Sequence, residues 1–490
     1  MKRKELISLI FLLSLILIVI MDSALFLPNE ILILADLGIQ IDAIGLIISI
    51  YTIVNGISIL IFGYLTDMID RRKILILAGV MWSITAILHL FVEEFWQLII
   101  VRIVAAIAVS VTTPLIISYL ADIISSDSRS KSFALWGLIT NIGTLTAAVL
   151  ALAFNMVNFE AIPETYTTLS QQVNYIVLTY PNMLYTWRLP YFYLGIIALI
   201  LTIFNYFFTI EPKRAAKEKQ LKQVFLDERF TYSYKIKFSD LKFIFKRKSN
   251  FFLIFNFFDV IASGLILAYI FPYINIDLRA NVSNIKIIIL FLFIIVLGLI
   301  VGQFWLAHLG DKKVQRGDLS GRVKVAVICS ILNLPFFLFG FAMTPNVANS
   351  TFFFGALVVN EIGFWVLWLI YCILLGLGLA FTMGIGPNWY SSLIDVNFPE
   401  NRGTMVAVGS FIDSIGRALG AVIGGFFYNF TESFSATIFW SLLIFGILST
   451  CLWIPLFYTA KKDYIEINAA MKKRANLLIK KGSEDSDLQI

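Results

Sequence analysis

Twelve stretches of this chain stay apolar for about the 20 residues that a helix needs to cross a bilayer, and this repetition restricts the fold more than any motif does. They lie near residues 6–33, 43–66, 73–92, 96–121, 133–154, 187–210, 249–273, 286–307, 323–343, 361–386, 403–428 and 433–458. The runs are continuous rather than alternating, and an unpaired backbone group in hydrocarbon is costly, so they are read as helices and not as barrel strands. Composition agrees: 59% of the 490 residues are hydrophobic and 14% charged, whereas soluble domains have roughly 45–50% and about 25%.

Basic residues near a span tend to remain on the cytoplasmic side. With the N-terminus inside, the inner segments hold 33 of the 38 Lys and Arg. Arg188, Arg279 and Lys286 fall outside, while Arg102 and Arg417 lie within spans. Both termini are therefore expected to be cytoplasmic, in a multi-pass protein of the cell membrane. The net charge of +6 then reflects topology and contact with anionic headgroups, making membrane lipids, not nucleic acid, the expected partners. The opening MKRKELISLIFLLSLILIVI has the basic start and apolar core of a signal peptide. No small-residue cleavage pattern follows and the run continues past Asp22, so it is read as helix 1. Cys329, Cys372 and Cys451 sit within predicted helices without metal-ligand spacing and are read as small buried residues. No cofactor or metal site is expected.

The chain repeats itself. Asp122 and Asp395 are 273 positions apart, as are Arg129 and Arg402, and Gly143 and Gly416 follow those arginines at equal distance. Asp67 and Asp311 are 244 apart, which places extra residues in the second copy. The expected fold class is thus an all-α membrane protein with twelve transmembrane helices in two pseudo-symmetric six-helix bundles. The expected division is residues 1–210, a basic cytoplasmic linker 211–248, residues 249–460 and a cytoplasmic tail 461–490. The linker, with twelve bases and five acids, reads either as an amphipathic segment on the membrane surface or as a solvated tether.

The copies share a motif: GYLTDMIDRRK, Gly63 to Lys73, and AHLGDKKVQR, Ala307 to Arg316. The first resembles the loop signature of the major facilitator superfamily, although Met68 stands where a base is usual and Asp70 where a glycine is. The resemblance covers about residues 1–460 and implies a gate. Asp67 would accept hydrogen bonds from the N-terminus of helix 11, near Asn401 to Thr404, and Asp311 belongs to the equivalent loop. Arg71 and Arg72 would pair with acids such as Asp122, with Arg129, Asp395 and Arg402 completing the set. Within the superfamily the first six helices faintly resemble spinster-type lipid transporters, through MWS, FWQL and TWRLPYFYLG. Ser23 and Val109 depart from that pattern.

Ionisable residues deep in spans are expensive and mark function. Asp22 and Asp259 occupy similar places in the two halves, on helices that the resemblance implies line a central cavity. Arg102 is the expected partner of Asp22, a pair assigned to substrate or proton handling. Asp413 and Arg417, one turn apart, are expected to neutralise each other. Gly416, Gly420 and Gly424 offer a smooth face on helix 11, and the glycines before Pro387 suggest a bend in helix 10. No GxxxxGK[ST] loop is present, so a gradient must supply the energy. The reading is a monomeric secondary transporter working by alternating access on a small, amphipathic solute, with proton coupling. The rivals are a facilitative uniporter, a membrane-embedded lipid-modifying enzyme, and a non-transporting receptor.

Overall fold

The computed structural model describes residues 3–39, 41–157, 169–221, 234, 247–255, 258–278, 285–347, 350–352 and 357–487. Among them, 12 helices are long and apolar enough to cross a membrane. They are α1 (Arg3–Leu37), α2 (Leu46–Met68), α3 (Arg71–Phe91), α4 (Phe95–Ile123), α5 (Ser126–Ala151), α6 (Pro181–Phe208), α7 (Lys248–Ile270), α8 (Leu290–Gln315), α9 (Gly321–Ala342), α10 (Glu361–Asp395), α11 (Pro399–Thr431) and α12 (Phe434–Leu477). Their lateral faces keep apolar side chains outside: Ile53 is 61% exposed, Phe207 69% and Val422 61%. Such surface is stable only against lipid.

Several ends differ from the expected ones: α5 starts at Ser126 rather than 133, and α8 ends at Gln315 rather than 307. Helix 10 runs through Pro387 to Asp395. A proline removes one N–H and crowds the preceding turn, and here Asn388 Nδ2 donates to the Gly384 carbonyl at 2.8 Å and to that of Leu306 at 3.2 Å. The residues beyond 460, expected as a separate tail, continue α12 and are helical as far as Asp487. Of these, Ile467, Met471 and Ala475 form a small core with Ala215 and Leu221 of the linker. Cys451 is exposed whereas Cys329 and Cys372 are buried, which corrects the expectation for the first. An apolar residue on a lipid-facing helix need not be inside.

The chain forms two compact units, the first of residues 1–119 and 138–212, the second of residues 120–137 and 213–490. In the first, α3 packs on α6 and α1 on α6. Small residues set the spacing: a methyl at Gly195 would meet the Ile87 backbone nitrogen at 2.9 Å. A capping box between Glu94 and Gln97 starts α4. The connection between α5 and α6 contains a helix, Leu169–Thr179, packed on the last segment of α1, Glu30–Leu37.

In the second unit α7 packs on α11 and α9 on α10. Gly420 meets the Ile261 carbonyl and Gly424 the Tyr269 ring, so the glycine face of helix 11 lies on α7. An aromatic core including Phe364, Trp368, Tyr371 and Phe434 fills the end of this unit. A two-stranded antiparallel ribbon pairs Thr351–Phe352 with Leu357–Val358.

Candidate functional site

In the first unit, burial and aromatic rings separate an acid from a base. Asp22 on α1 is 1% exposed and Arg102 on α4 3%. Asp22 Oδ2 accepts from Trp82 Nε1 at 3.2 Å, whereas Oδ1 has no donor. Arg102 donates to the Tyr191 hydroxyl at 2.6 Å. Its guanidinium lies over the rings of Phe26 at 4.5 Å, Tyr191 at 5.2 Å and Tyr51 at 5.9 Å. Among the described residues the expected Asp22–Arg102 salt bridge is absent, and Arg102 acts on Asp22 through its field. Several aromatic faces solvate the cation in place of a carboxylate, each worth about 0.5–2 kcal/mol. Asp22 is thereby left with an oxygen that no group among the described residues holds.

The other in-span candidate, Asp259, sits within α7 of the second unit, but its side chain lies outside the described residues. His89 is fully buried, with Nδ1 2.9 Å from the Thr85 carbonyl and its ring stacked on Tyr191 at 4.2 Å. Phe26, Tyr51, Trp82 and Tyr191 come from four different helices at no fixed spacing; Trp82 and Tyr191 lie in the MWS and TWRLPYFYLG stretches, but nothing in the sequence marked any of the four as a neighbour of Asp22 or Arg102.

The first motif is anchored within its own unit. Gly63 lies in α2, and Asp67 near its end is 2% exposed. Arg71 Nε pairs with Glu211 Oε1 at 3.0 Å, and Glu211 Oε2 accepts from the Arg72 backbone N–H at 3.0 Å. The end of α6 thus closes the start of α3, and Glu211 takes the role that the sequence reading gave to Asp122.

The second unit collects the other motif residues into one charged cluster. Asp311 accepts from the backbone N–H groups of Ser130 and Lys131, each at 3.1 Å. A carboxylate at the positive end of a helix is favoured by the dipole and satisfies two orphan donors. This is the arrangement that the resemblance implied for Asp67, found here on helix 5. Arg322 holds Asp311 at 2.7 Å and also pairs with Asp395.

The repeat partners then cross over. Asp395 pairs with Arg129 at 2.8 Å, and Asp122 with Arg402 at 3.4 Å, so the acid of each copy serves the arginine of the other. Glu218, from the linker, joins both arginines. Burial would push its carboxyl up, but Arg129 and Arg402, with the hydrogen bonds they donate, hold it down at about 2. Asp122 also accepts from the Ala215 N–H at 2.9 Å. Sequence reasoning missed Glu211, Glu218 and Arg322. The first and third flank spans in basic loops; Glu218 had no signal.

The second unit also holds a cavity of about 390 Å³ among α7, α9, α10, α11 and α12. Asn333, Thr382, Trp389, Tyr390, Asp413 and Arg417 line part of it. Asn333 donates to Thr382 at 3.2 Å and Trp389 to the Leu253 carbonyl at 2.6 Å. Asp413 feels the charge of Arg417, yet no salt bridge joins them among the described residues. Both line a mainly aromatic and apolar space, of the size and character of small-molecule sites.

The family model of the Major Facilitator Superfamily matches residues 12–393. The chain belongs to that superfamily. A D-xylose transporter of Levilactobacillus brevis is 35% identical over 111 residues, 21% of this chain and 24% of that protein. The arabinose-proton symporter of Bacillus subtilis (strain 168) is 29% identical over 109 residues, 22% of this chain and 24% of that one. The chain thus spans about a quarter of the length of these curated relatives. A crystal structure of a variant of the E. coli fucose:proton symporter FucP superposes with a TM-score of 0.62 at 15% identity. It covers 94% of this chain and 99% of that chain, which establishes the fold.

Proposed function

We propose that this protein is a proton-coupled secondary transporter that moves a small, uncharged solute with one polar and one apolar face by alternating access. The observation that carries the reading is Asp22: a carboxylate 1% exposed inside a membrane helix, with Oδ1 unpartnered and the nearest cation held by aromatic rings. A group so placed is not locked to a structural partner, and its charge changes the relative energy of states that expose it differently. Taking a proton on Oδ1 removes the attraction to Arg102 without breaking a hydrogen-bonded pair. The cavity beside Asn333, Thr382 and Trp389 supplies both hydrogen-bonding groups and aromatic faces. That suits a sugar, whose ring has hydroxyl edges and an apolar face, and the names of the pentose transporters above favour testing pentoses first. A more lipid-like amphiphile is the competing class. We place the basic loops and both termini in the cytoplasm and the protein in the cell membrane. The crossed ion pairs around Glu218 would form part of the cytoplasmic gate.

The test is Asp22→Asn in proteoliposomes, loaded with each solute that shifts the melting temperature of the purified protein. Counterflow exchange is expected to persist, because Asn mimics the protonated carboxyl, while accumulation driven by a pH gradient is lost. Full pH-driven accumulation by the variant would remove Asp22 from the mechanism. Absence of such accumulation in the wild type, with exchange intact, would favour facilitated uniport.

A further inference from the structure

The first unit carries a groove of about 650 Å³ beside α3 and the end of α6, apart from both sites above. Its lining includes Arg72, Lys73, Ile76, Leu77, Val80 and Tyr206. Positions 73, 76, 77 and 80 fall on one face of a helix and rise about 10 Å along it. Leu77 is 56% exposed and Val80 37%, so this face is an open apolar stripe.

Two cations stand at the end of the stripe, in contrast to their neighbour. Arg71 is neutralised by Glu211. Arg72 donates to the main-chain carbonyl of Tyr206 and lies over its ring at 5.4 Å, and among the described residues no carboxylate pairs with its guanidinium. Glu211 also borders the groove, but it is committed to Arg71 and to a backbone N–H. Among the described residues Lys73 pairs with Asp70 alone, at 3.3 Å, and their side chains are 76% and 58% exposed. Exposed pairs of this kind hold weakly and exchange readily for a better anion.

We propose that this groove binds an anionic phospholipid, its phosphate on Arg72 and Lys73 and one acyl chain along Ile76, Leu77 and Val80. An unneutralised guanidinium offers paired donors to phosphate oxygens, and the ammonium adds a second charge. The stripe requires a chain, so a free phosphate compound lacks half of the contacts. A zwitterionic lipid brings a cation to the same rim and gains less.

The experiment uses the full-length protein, delipidated and placed in phosphatidylcholine nanodiscs with increasing phosphatidylglycerol. Bound lipid is counted by native mass spectrometry and melting temperature recorded in parallel. Phosphatidylglycerol is expected to bind the wild type and raise its melting temperature, with the R72Q/K73Q variant binding about thirtyfold more weakly. Leu77→Gln is expected to weaken binding as well, and glycerol phosphate to have no effect. If R72Q/K73Q fails to fold, K73Q alone, which alters no buried contact, carries the comparison. Equal binding of phosphatidylglycerol by wild type and variants would overturn the proposal. So would equal stabilisation by phosphatidylcholine, or by glycerol phosphate, which would mark simple anion binding.

Discussion

Replacing Glu218 by Gln keeps the shape of the side chain and removes the charge that joins Arg129 to Arg402. The carboxyl is held at about 2 against an ordinary 4.5, a difference equivalent to about 3 kcal/mol. Removing one partner from a buried pair costs about 3–5 kcal/mol by a separate route, so both arguments give the same order. The affected element is the linker segment around Ala215 to Leu221, which is held by Glu218, by the Ala215 N–H on Asp122 and by packing on Ile467 and Met471. Opening of this segment should therefore become about 100-fold more frequent, read as faster hydrogen exchange of its amides by mass spectrometry at pH 7. The pH dependence has a definite sign. A depressed carboxyl contributes stability above its ordinary value and loses it as pH falls towards the folded value. The difference between wild type and variant should then close from about pH 4.5 to pH 2. Equal exchange at pH 7, or a difference that persists unchanged to pH 2, would refute the assignment of Glu218 as the anion shared by both repeats.

Asp311→Asn should lower the melting temperature by an amount matching about 3–5 kcal/mol, since Asp311 is fully buried and serves two N–H groups and Arg322; a shift within error would show that the helix-5 contact is dispensable. Gly420→Ala should cost about 1–3 kcal/mol because the added methyl meets the backbone of Ile261 and Leu265, whereas Gly386→Ala, which meets nothing within 4 Å, should be neutral or mildly stabilising. Thermal unfolding of the two variants side by side checks both. In a cysteine-free background, single cysteines at the exposed Leu178 and Arg316 should label from outside and inside respectively; labelling of both from one side would refute the proposed topology.

The sequence made twelve helices legible because lipid imposes a length and a composition on each span, and those survive without any knowledge of neighbours. Most helix ends were close for the same reason. The exceptions show what the rule omits: helix 10 continues past Pro387 to Asp395, and the tail, helical as well, packs on Ala215 and Leu221. The position of Asp22, Arg102 and the motif acids was also legible, since a charge in or beside an apolar run stands out. Their partners were not. Asp22 meets Trp82 rather than Arg102, and Arg71 meets Glu211.

By itself, then, the sequence determined which residues belong to the spanning helices, and that the fold is a bundle of twelve of them. Only the tertiary structure decided which faces meet. In lipid both the packed and the outer face of a helix are apolar, so hydrophobicity carries little record of rotation about the axis, and Cys451 points outward where Cys372 points in. The crossing of Asp122 to Arg402 spans 280 positions and that of Asp395 to Arg129 spans 266. Each acid has an arginine of its own copy only seven positions away, so local spacing favours the wrong partner. Packing the loop of helices 4 and 5 into the second unit reverses that choice, and it gives Glu218 both arginines to hold.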